Sequence, residues 1–136
     1  YHRAKPACPG GPFMRRVHTL LAVLSLLFSL LAPALAAADS YGAIAYSPTT
    51  RADGWSHSFS TRRDAERRAL GECDARDCRV AIWFKNGCGA LAVGNRGGWG
   101  SGWGGDRRRA EYEAVNSCNR YTRGCRVTRW VCSGAR

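Results

Sequence analysis

"CGALAVGNRGGWGSGWGGDRRRAEYEAVNSCNRYTRGCRVTRWVC", residues 88–132, repeats the pattern of "YGAIAYSPTTRADGWSHSFSTRRDAERRALGECDARDCRVAIWFK", residues 41–85. Cysteines, glycines and aromatic residues recur in the same order in both stretches, and self-similarity of this kind indicates two copies of one structural unit. The matched positions are Tyr41–Tyr46 with Cys88–Val93, Gly54-Trp55 with Gly98-Trp99, Phe59 with Trp103, Cys73 with Cys118, Cys78 with Cys125, and Trp83 with Trp130.

The glycine-tryptophan stretch at residues 94–105 is interpreted through its counterpart, "ADGWSHSFS" at residues 52–60. Large and small residues alternate in both, and a period of two predicts a strand rather than a linker. We expect the bulky side chains to face the core and the small ones to face outward. The glycines indicate close backbone approach across the small face, or a more mobile strand. Core packing is therefore the favoured interpretation of Trp99 and Trp103, with an exposed aromatic surface for sugars as the alternative.

Each copy is predicted to form two strands, a helix and a third strand. The first helix is expected from about Thr61 to Cys73, with Thr61 as N-cap, and the second from Asp106 to Cys118, with Asp106 as N-cap. One apolar face is expected on each helix; its residues are Ala65, Ala69, Leu70 and Cys73 on the first, and Ala110, Ala114, Val115 and Cys118 on the second. The predicted fold class is α+β: two tandem ββαβ repeats, at about 41–86 and 88–133, in a two-layer, pseudo-two-fold, disulfide-stapled domain.

The segment preceding this domain has the layout of a secretory signal peptide. Two arginines follow Met14, an apolar run continues to Ala32, and small residues come next. This predicts a signal peptide at 14–38, a mature domain at 39–136, and residues 1–13 as upstream sequence without structural meaning. A retained membrane anchor is the alternative, although the run is short for a spanning helix. We expect a secreted or periplasmic protein without a transmembrane segment after cleavage.

Six cysteines follow the predicted signal peptide, and an even number behind an export signal indicates disulfides. The repeat favours the pairs Cys73–Cys78, Cys118–Cys125 and Cys88–Cys132. A zinc site is the weaker interpretation, because there is no CxxC spacing and His57 is the one histidine in this part.

Charge is the remaining feature that bears on function. The full chain has a net charge of +11, and residues 39–136 keep 17 of the 21 lysines and arginines with all 10 acidic residues, a net charge of +7. Arginines on the two helices are candidate contacts for an anionic partner, with a solvated basic face as the alternative; they are Arg62, Arg63, Arg67, Arg107, Arg108 and Arg109. Export argues against nucleic acid as the partner.

No catalytic residue, metal ligand or cofactor is assigned from the sequence. His57 lies between Trp55 and Phe59 on a predicted strand, with no carboxylate implied beside it to orient it as a base. The acidic residues lie among arginines on or beside the helices, which is typical of solvated helix faces with ion pairs.

The paired motifs "YGAIAYS", "CRVAIWF", "CGALAV", "GWG" and "WVC" resemble the bacterial secreted family called domain of unknown function 4189, from Tyr41 to Ser133. The resemblance implies a small exported protein with a disulfide-stabilised repeat fold, and it transfers no activity or site residue.

From the sequence we expect an exported, monomeric, non-catalytic binding module. Its partner would be an unknown protein or an anionic envelope or membrane surface. It would act as a secreted effector-like protein or as a periplasmic inhibitor or immunity protein. The alternative is a small envelope-directed hydrolase whose acidic site the sequence does not identify.

Overall fold

The computed structural model describes residues 36–134. The upstream residues 1–13 and the predicted signal peptide, except for its last three residues, lie outside this range. Six strands and two α-helices make up the described part, with a short 3-10 turn at Asn95–Gly97 before β5. Their bounds are β1 Tyr41–Tyr46, β2 Asp53–Phe59, α1 Arg62–Glu72, β3 Arg79–Lys85, β4 Gly87–Val93, β5 Trp99–Gly104, α2 Arg107–Asn119 and β6 Arg126–Ser133.

Both helices begin where their capping residues predict. The Asp64 backbone N–H donates to Thr61 Oγ1 at 3.2 Å, and the Arg109 N–H donates to Asp106 Oδ1 at 3.0 Å. Each cap satisfies a donor that the first helical turn leaves without a backbone partner.

The strands form two antiparallel sheets of three strands, with the orders β2-β1-β3 and β5-β4-β6. Each sheet has its first strand in the middle and its other two strands at the edges. The register shifts at matching places, between Ile44 and Ala45 where β1 meets β3, and between Leu91 and Ala92 where β4 meets β6.

The described residues form four layers, helix–sheet–sheet–helix, and the expected two-layer arrangement is wrong. In β1, Ala43 and Ala45 pack against α1, while Ile44 and Tyr46 join a cluster between the two sheets. Because successive strand residues point to opposite faces, a central strand buried on both faces needs a covering layer on each side; here α1 covers one face of β1 and the second sheet covers the other. The remaining buried members of the inter-sheet cluster are Phe84, Leu91 and Val131.

The alternation in β2 and β5 is real, but the predicted orientation holds only for Phe59 and Trp99, which are partly buried against core clusters. The small residues face inward, against the helices, and the bulky residues Trp55, His57 and Trp103 are exposed. The reason is the closeness of each helix to its sheet: a Cβ at Gly54 would lie 2.2 Å from the Ala69 carbonyl oxygen. Only small residues fit there, so the close backbone approach that the glycines indicate is present.

The strand register also corrects the sequence alignment of β2 with β5. Phe59 pairs with Tyr41 and Gly104 pairs with Cys88, whereas Trp103 lies opposite Gly89. Phe59 therefore corresponds in position to Gly104 rather than to Trp103. Gly54, opposite Ala45, likewise corresponds to Gly100, opposite Ala92, rather than to Gly98, and the register shift near Ser58, whose φ is 61°, adds one residue to β2 before Phe59.

The predicted apolar helix faces are largely buried. Ala65, Ala69 and Cys73 of the first helix are buried, whereas Leu70 is 37% exposed and lies outside the core. On the second helix, buried residues are Ala110, Ala114 and Cys118, with Val115 partly buried against them.

Three disulfides join Cys73 to Cys78, Cys88 to Cys132 and Cys118 to Cys125, the same three pairs that the repeat favours. Two of them tie a helix end to the segment before the next strand, and the third joins β4 to β6. Disulfides of this number in a small domain are typical of an oxidising compartment.

No helix within residues 36–134 is long and apolar enough to cross a membrane.

An arginine-lined groove as the candidate functional site

Most of the predicted helix arginines are held in ion pairs within the domain. Glutamate or aspartate carboxylates lie 2.6–2.7 Å from four of the six candidates; the pairs are Arg62–Glu66, Arg67–Asp64, Arg107–Glu111 and Arg109–Glu113. Arg62 and Arg107 also lie over the rings of Trp83 and Trp130, at 4.3 and 4.0 Å from the ring centres. These arginines are partnered before any external ligand arrives.

Arg63 and Arg108 are exposed and form no ion pair with the residues that the structure describes. Each lies in the first turn of its own helix, so the two side chains are not brought together on one helix face.

The cations without an ion-pair partner in residues 36–134 lie mostly on loops and strands. Besides Arg63 and Arg108, these are Arg51, Arg76, Arg79, Arg96, Arg120, Arg123 and Arg126. Three of them line two adjoining hollows on the side of the domain where β3 and β5 are the edge strands: Arg79 and Arg96 line one, Arg120 lines the other, and the two share Ser101 and Ser117. We call this surface the edge groove.

The edge groove lies between two walls. On one wall are β3 residues Ala81 and Ile82, and on the other is a row of α2 side chains, among them Glu113 and Ser117. The Ser101 hydroxyl of β5 donates to the Ala81 carbonyl at 2.8 Å and bridges the two sheets at the middle of the groove. Hollows of about 510 and 620 Å³ lie on either side of Ser101, within the size range of ligand sites.

The basic end of the groove is formed by Arg79, Arg96 and Tyr121, whose side chain is 76% exposed. Its loops are held in place by hydrogen bonds from the Asn95 N–H to the Arg123 carbonyl, at 2.8 Å, and from Thr122 Oγ1 to the Asn95 carbonyl, at 2.7 Å.

Glycine is required for this loop packing. A Cβ at Gly94 would lie 2.3 Å from Thr122 Cγ2, and one at Gly98 would lie 2.6 Å from Thr122 Cβ. The glycine-rich sequence therefore brings the Arg96 loop against the loop that the Cys118–Cys125 disulfide closes.

The opposite end of the groove is apolar. Trp103, 61% exposed, faces Ile82, Trp83 and Phe84 of β3 across a hollow of about 590 Å³. The alternative interpretation of Trp103 as an exposed aromatic thus fits its position, and the core interpretation is wrong for this residue. Trp99 is partly buried against Tyr46, with ring centres 5.7 Å apart.

Lys85 also borders the apolar end, but its charge is engaged. Its Nζ lies 2.7 Å from Asp39 Oδ2. This hydrogen bond lowers the pKa of Asp39 and raises that of Lys85. Lys85 is therefore already neutralised by its partner.

Apart from the exposed Asp74, the acidic side chains within residues 36–134 have hydrogen-bond or ion-pair partners in the fold. Asp53 Oδ1 accepts a hydrogen bond from Arg129 Nε at 2.7 Å, and the Asp77 carboxylate accepts hydrogen bonds from Ser47 Oγ and the Thr49 N–H. The hydrogen bond from Ser47 lowers the pKa of Asp77 to about 2, which keeps the carboxylate ionised. A general acid needs the opposite shift.

His57 is exposed, stacks on Trp55 at 5.7 Å, and shares a 2.8 Å hydrogen bond with Ser58. Within residues 36–134, no three His, Cys, Asp or Glu side chains come together in a way that could hold a metal ion. The chemistry that the groove offers is recognition of anions by guanidinium groups.

Sequence reasoning missed the grouping of Arg79, Arg96 and Arg120, although a signal was present. The paired helix arginines have an acidic residue three or four positions away, the spacing that brings side chains together on a helix. Arg96 has no acidic residue within nine positions on either side, and Arg120 has none within six. Isolation in sequence marks Arg96 and Arg120, but it does not identify the groove by itself, because the equally isolated Arg129 pairs with Asp53 in the fold.

The chain is similar in sequence and in structure to mycobacterial proteins. "Protein Rv1269c" of Mycobacterium tuberculosis and "Protein Mb1300c" of Mycobacterium bovis are each 44% identical over 62 residues, a match that covers 44% of this chain and 47% of the relative. The chain thus matches about half the length of these relatives. The NMR structure of Rv1813c from Mycobacterium tuberculosis superposes with a TM-score of 0.55 at 33% identity, covering 74% of this chain and 80% of that one.

A family model described as domain of unknown function (DUF4189) matches residues 41–132, which is the whole span from the start of β1 to Cys132 in β6. The resemblance drawn from the paired motifs is confirmed, and the chain belongs to this family.

Proposed function

We propose that this protein is an exported binding module that recognises an anionic partner through the edge groove. The observation that carries the proposal is the placement of Arg79, Arg96 and Arg120. They line the two adjoining hollows of this groove and have no ion-pair partner within residues 36–134, while the arginines on the helices are largely paired. Uncompensated guanidinium groups in a groove bind carboxylate or phosphate oxygens in a bidentate manner.

Export is part of the proposal. It is supported by the three disulfides and by the predicted signal peptide at 14–38, since disulfides persist outside the reducing cytosol. The mature protein would then be the single domain 39–136, in the periplasm or outside the cell.

We also propose that the two ββαβ units are pseudo-symmetric copies. The support is the matching strand order and the matching register shift in the two sheets. The copies would have diverged at the groove: on the opposite side of the domain, the ion pair between Arg129 of β6 and Asp53 of β2 bridges the sheets. On the groove side, the bridge is the smaller Ser101 hydroxyl. The ligand surface would thus be present on one side.

The proposal is tested by removing the groove arginines together. The triple substitution R79A/R96A/R120A is expected to weaken binding of the oxidised protein to poly-L-glutamate at least about tenfold at low salt, because each lost charge-assisted bond is worth about 1.5–3 kcal/mol. Isothermal titration calorimetry gives the affinity.

The matched control is R63A/R76A/R108A, which removes the same charge from exposed arginines that do not line the groove. This control should keep most of the affinity. Binding of the parent protein should weaken as the salt concentration rises from about 0.05 to about 0.5 M. Equal losses in the two triple variants would contradict a localised site and indicate attraction by net charge alone.

A further inference from the structure

We infer that the partner enters the edge groove as an extended acidic peptide segment, which adds as a strand to β5. This inference rests on the proposed function of the groove and names the class of ligand that it takes. Backbone regularity, side-chain charge and the apolar end each contribute to it.

The backbone of β5 is suited to strand addition. As an end strand of its sheet, it has one side that is not paired with another strand among residues 36–134. Its pairing with β4 runs without a shift from Trp99 to Gly104. An unpaired, regular edge presents alternating N–H and C=O groups that another extended chain can pair with.

The other three edge strands of the described domain are irregular. β2 contains the shift near Ser58, and β3 and β6 each contain a shift where they meet the central strand. Bulges and twists of this kind protect an edge from pairing with a further strand. The regular edge is therefore the one that borders the groove.

The charges along this edge select an acidic strand. Arg79, Arg96 and Arg120 line the groove beside β5, and the groove carboxylate of Glu113 is already bound to Arg109 at 2.6 Å. Carboxylates on an added strand would meet these guanidinium groups directly. A second copy of the chain pairing β5 with β5 would instead bring two sets of the same arginines together.

The apolar end sets a second requirement for the partner. Trp103 is 61% exposed beside Ile82 and Trp83, so an aromatic or aliphatic side chain at one end of the peptide has an apolar surface to pack against. A six-residue strand spans about 20 Å, so one short segment can reach both this end and the arginines.

The test uses the octapeptide acetyl-Glu-Val-Glu-Val-Glu-Val-Glu-Trp-amide and its reversed sequence as probes, with the oxidised full-length protein. We expect one orientation to bind more tightly. We also expect slower amide hydrogen exchange within Trp99–Gly104, because an added strand protects the edge amides. W103A should reduce the affinity about fivefold to tenfold by removing apolar contact.

Two N-methylated forms of the tighter peptide provide the decisive control. One carries N-methyl groups at the odd amides and the other at the even amides, with the charge unchanged. An added strand pairs through alternate amides only, so one form should lose binding and the other should keep it.

The outcomes separate this inference from the proposed function. If both N-methylated forms bind like the parent peptide while R79A/R96A/R120A still abolishes binding, the groove recognises anions but strand addition is wrong. If neither the octapeptide nor poly-L-glutamate binds, both proposals are wrong. Concentration-dependent dimerisation with protection of β5 would identify a second copy as the occupant, and binding to anionic vesicles but not to the peptides would identify a lipid surface; either result overturns the inference.

Discussion

Tyr46 shows how tightly the space between the sheets is filled. Its side chain is 1% exposed, and its hydroxyl has no hydrogen-bond partner among the described residues. Burial raises the pKa of this phenol, because the charged form is poorly solvated there. An unpartnered buried hydroxyl loses its bonds to water on folding without replacing them.

We therefore expect Y46F to leave the free energy of unfolding unchanged or to raise it by about 1 kcal/mol. Urea unfolding followed by tryptophan fluorescence measures the difference. A loss of more than about 1 kcal/mol would show that the hydroxyl is satisfied in the folded protein, for example by a buried water.

Asp77 makes stability depend on pH at the acidic end. Its pKa is lowered to about 2 by the Ser47 hydroxyl, which donates to it beside the turn between β1 and β2. A lowered folded-state pKa means that the ionised group stabilises the fold above its unfolded pKa of about 3.9. That contribution is lost as the pH falls from about 4 towards 2.

The variant D77N should lower stability at pH 6 and show a smaller further loss between about pH 4 and pH 2 than the parent protein. The nearby exposed Asp74 supplies the control, D74N, which removes the same charge from a side chain with no hydrogen-bond partner within residues 36–134 and should cost less stability at pH 6 than D77N. Thermal unfolding at stepped pH provides the readout, and parallel slopes for the parent and D77N would refute the role of this carboxylate.

At the scale of the element, β5 depends on its glycines for contact with α2. A Cβ at Gly100 would lie 2.1 Å from the Cys118 amide nitrogen, and one at Gly102 would lie 2.3 Å from the Ala114 amide nitrogen. These neighbours are helix backbone atoms, which cannot rotate away as a side chain can.

G100A and G102A should each destabilise the protein by about 1–3 kcal/mol or more through overpacking. G105A is the control, because nothing lies within 4 Å of its added Cβ. Chemical denaturation of the three variants decides the matter, and a neutral G100A would mean that the helix can move away from the strand at little cost.

The same strand shows what the sequence can and cannot predict. Alternation of large and small residues correctly predicts a strand, and the capping residues Thr61 and Asp106 locate both helix starts. The direction of the alternation is not predictable from hydrophobicity alone, because the spacing between helix and sheet decides which side chains fit. Small residues face the helix because its backbone leaves no room, and Trp103 is exposed as a result.

At the scale of the whole molecule, positive charge is abundant but unevenly neutralised. Ion pairs on α1 and α2 follow from the spacing of charges in the sequence. The edge groove cannot be predicted from the spacing of charges in this way. Its arginines, Arg79, Arg96 and Arg120, come from a strand, a loop and a helix end that only the fold brings together. The sequence predicts that arginines are candidate contacts for an anionic partner. It does not predict which of them lie together, because that depends on how the two sheets stack.

The most direct measurement of the central claim is NMR mapping of the acidic octapeptide on the ¹⁵N-labelled, oxidised protein. We expect shifts concentrated in β5, in the Arg79–Ile82 part of β3 and around Tyr121, with these shifts lost in R79A/R96A/R120A and kept in R63A/R76A/R108A. Shifts spread over the exposed faces of α1 and α2, or unchanged by the groove substitutions, would contradict the assignment of the edge groove as the binding site.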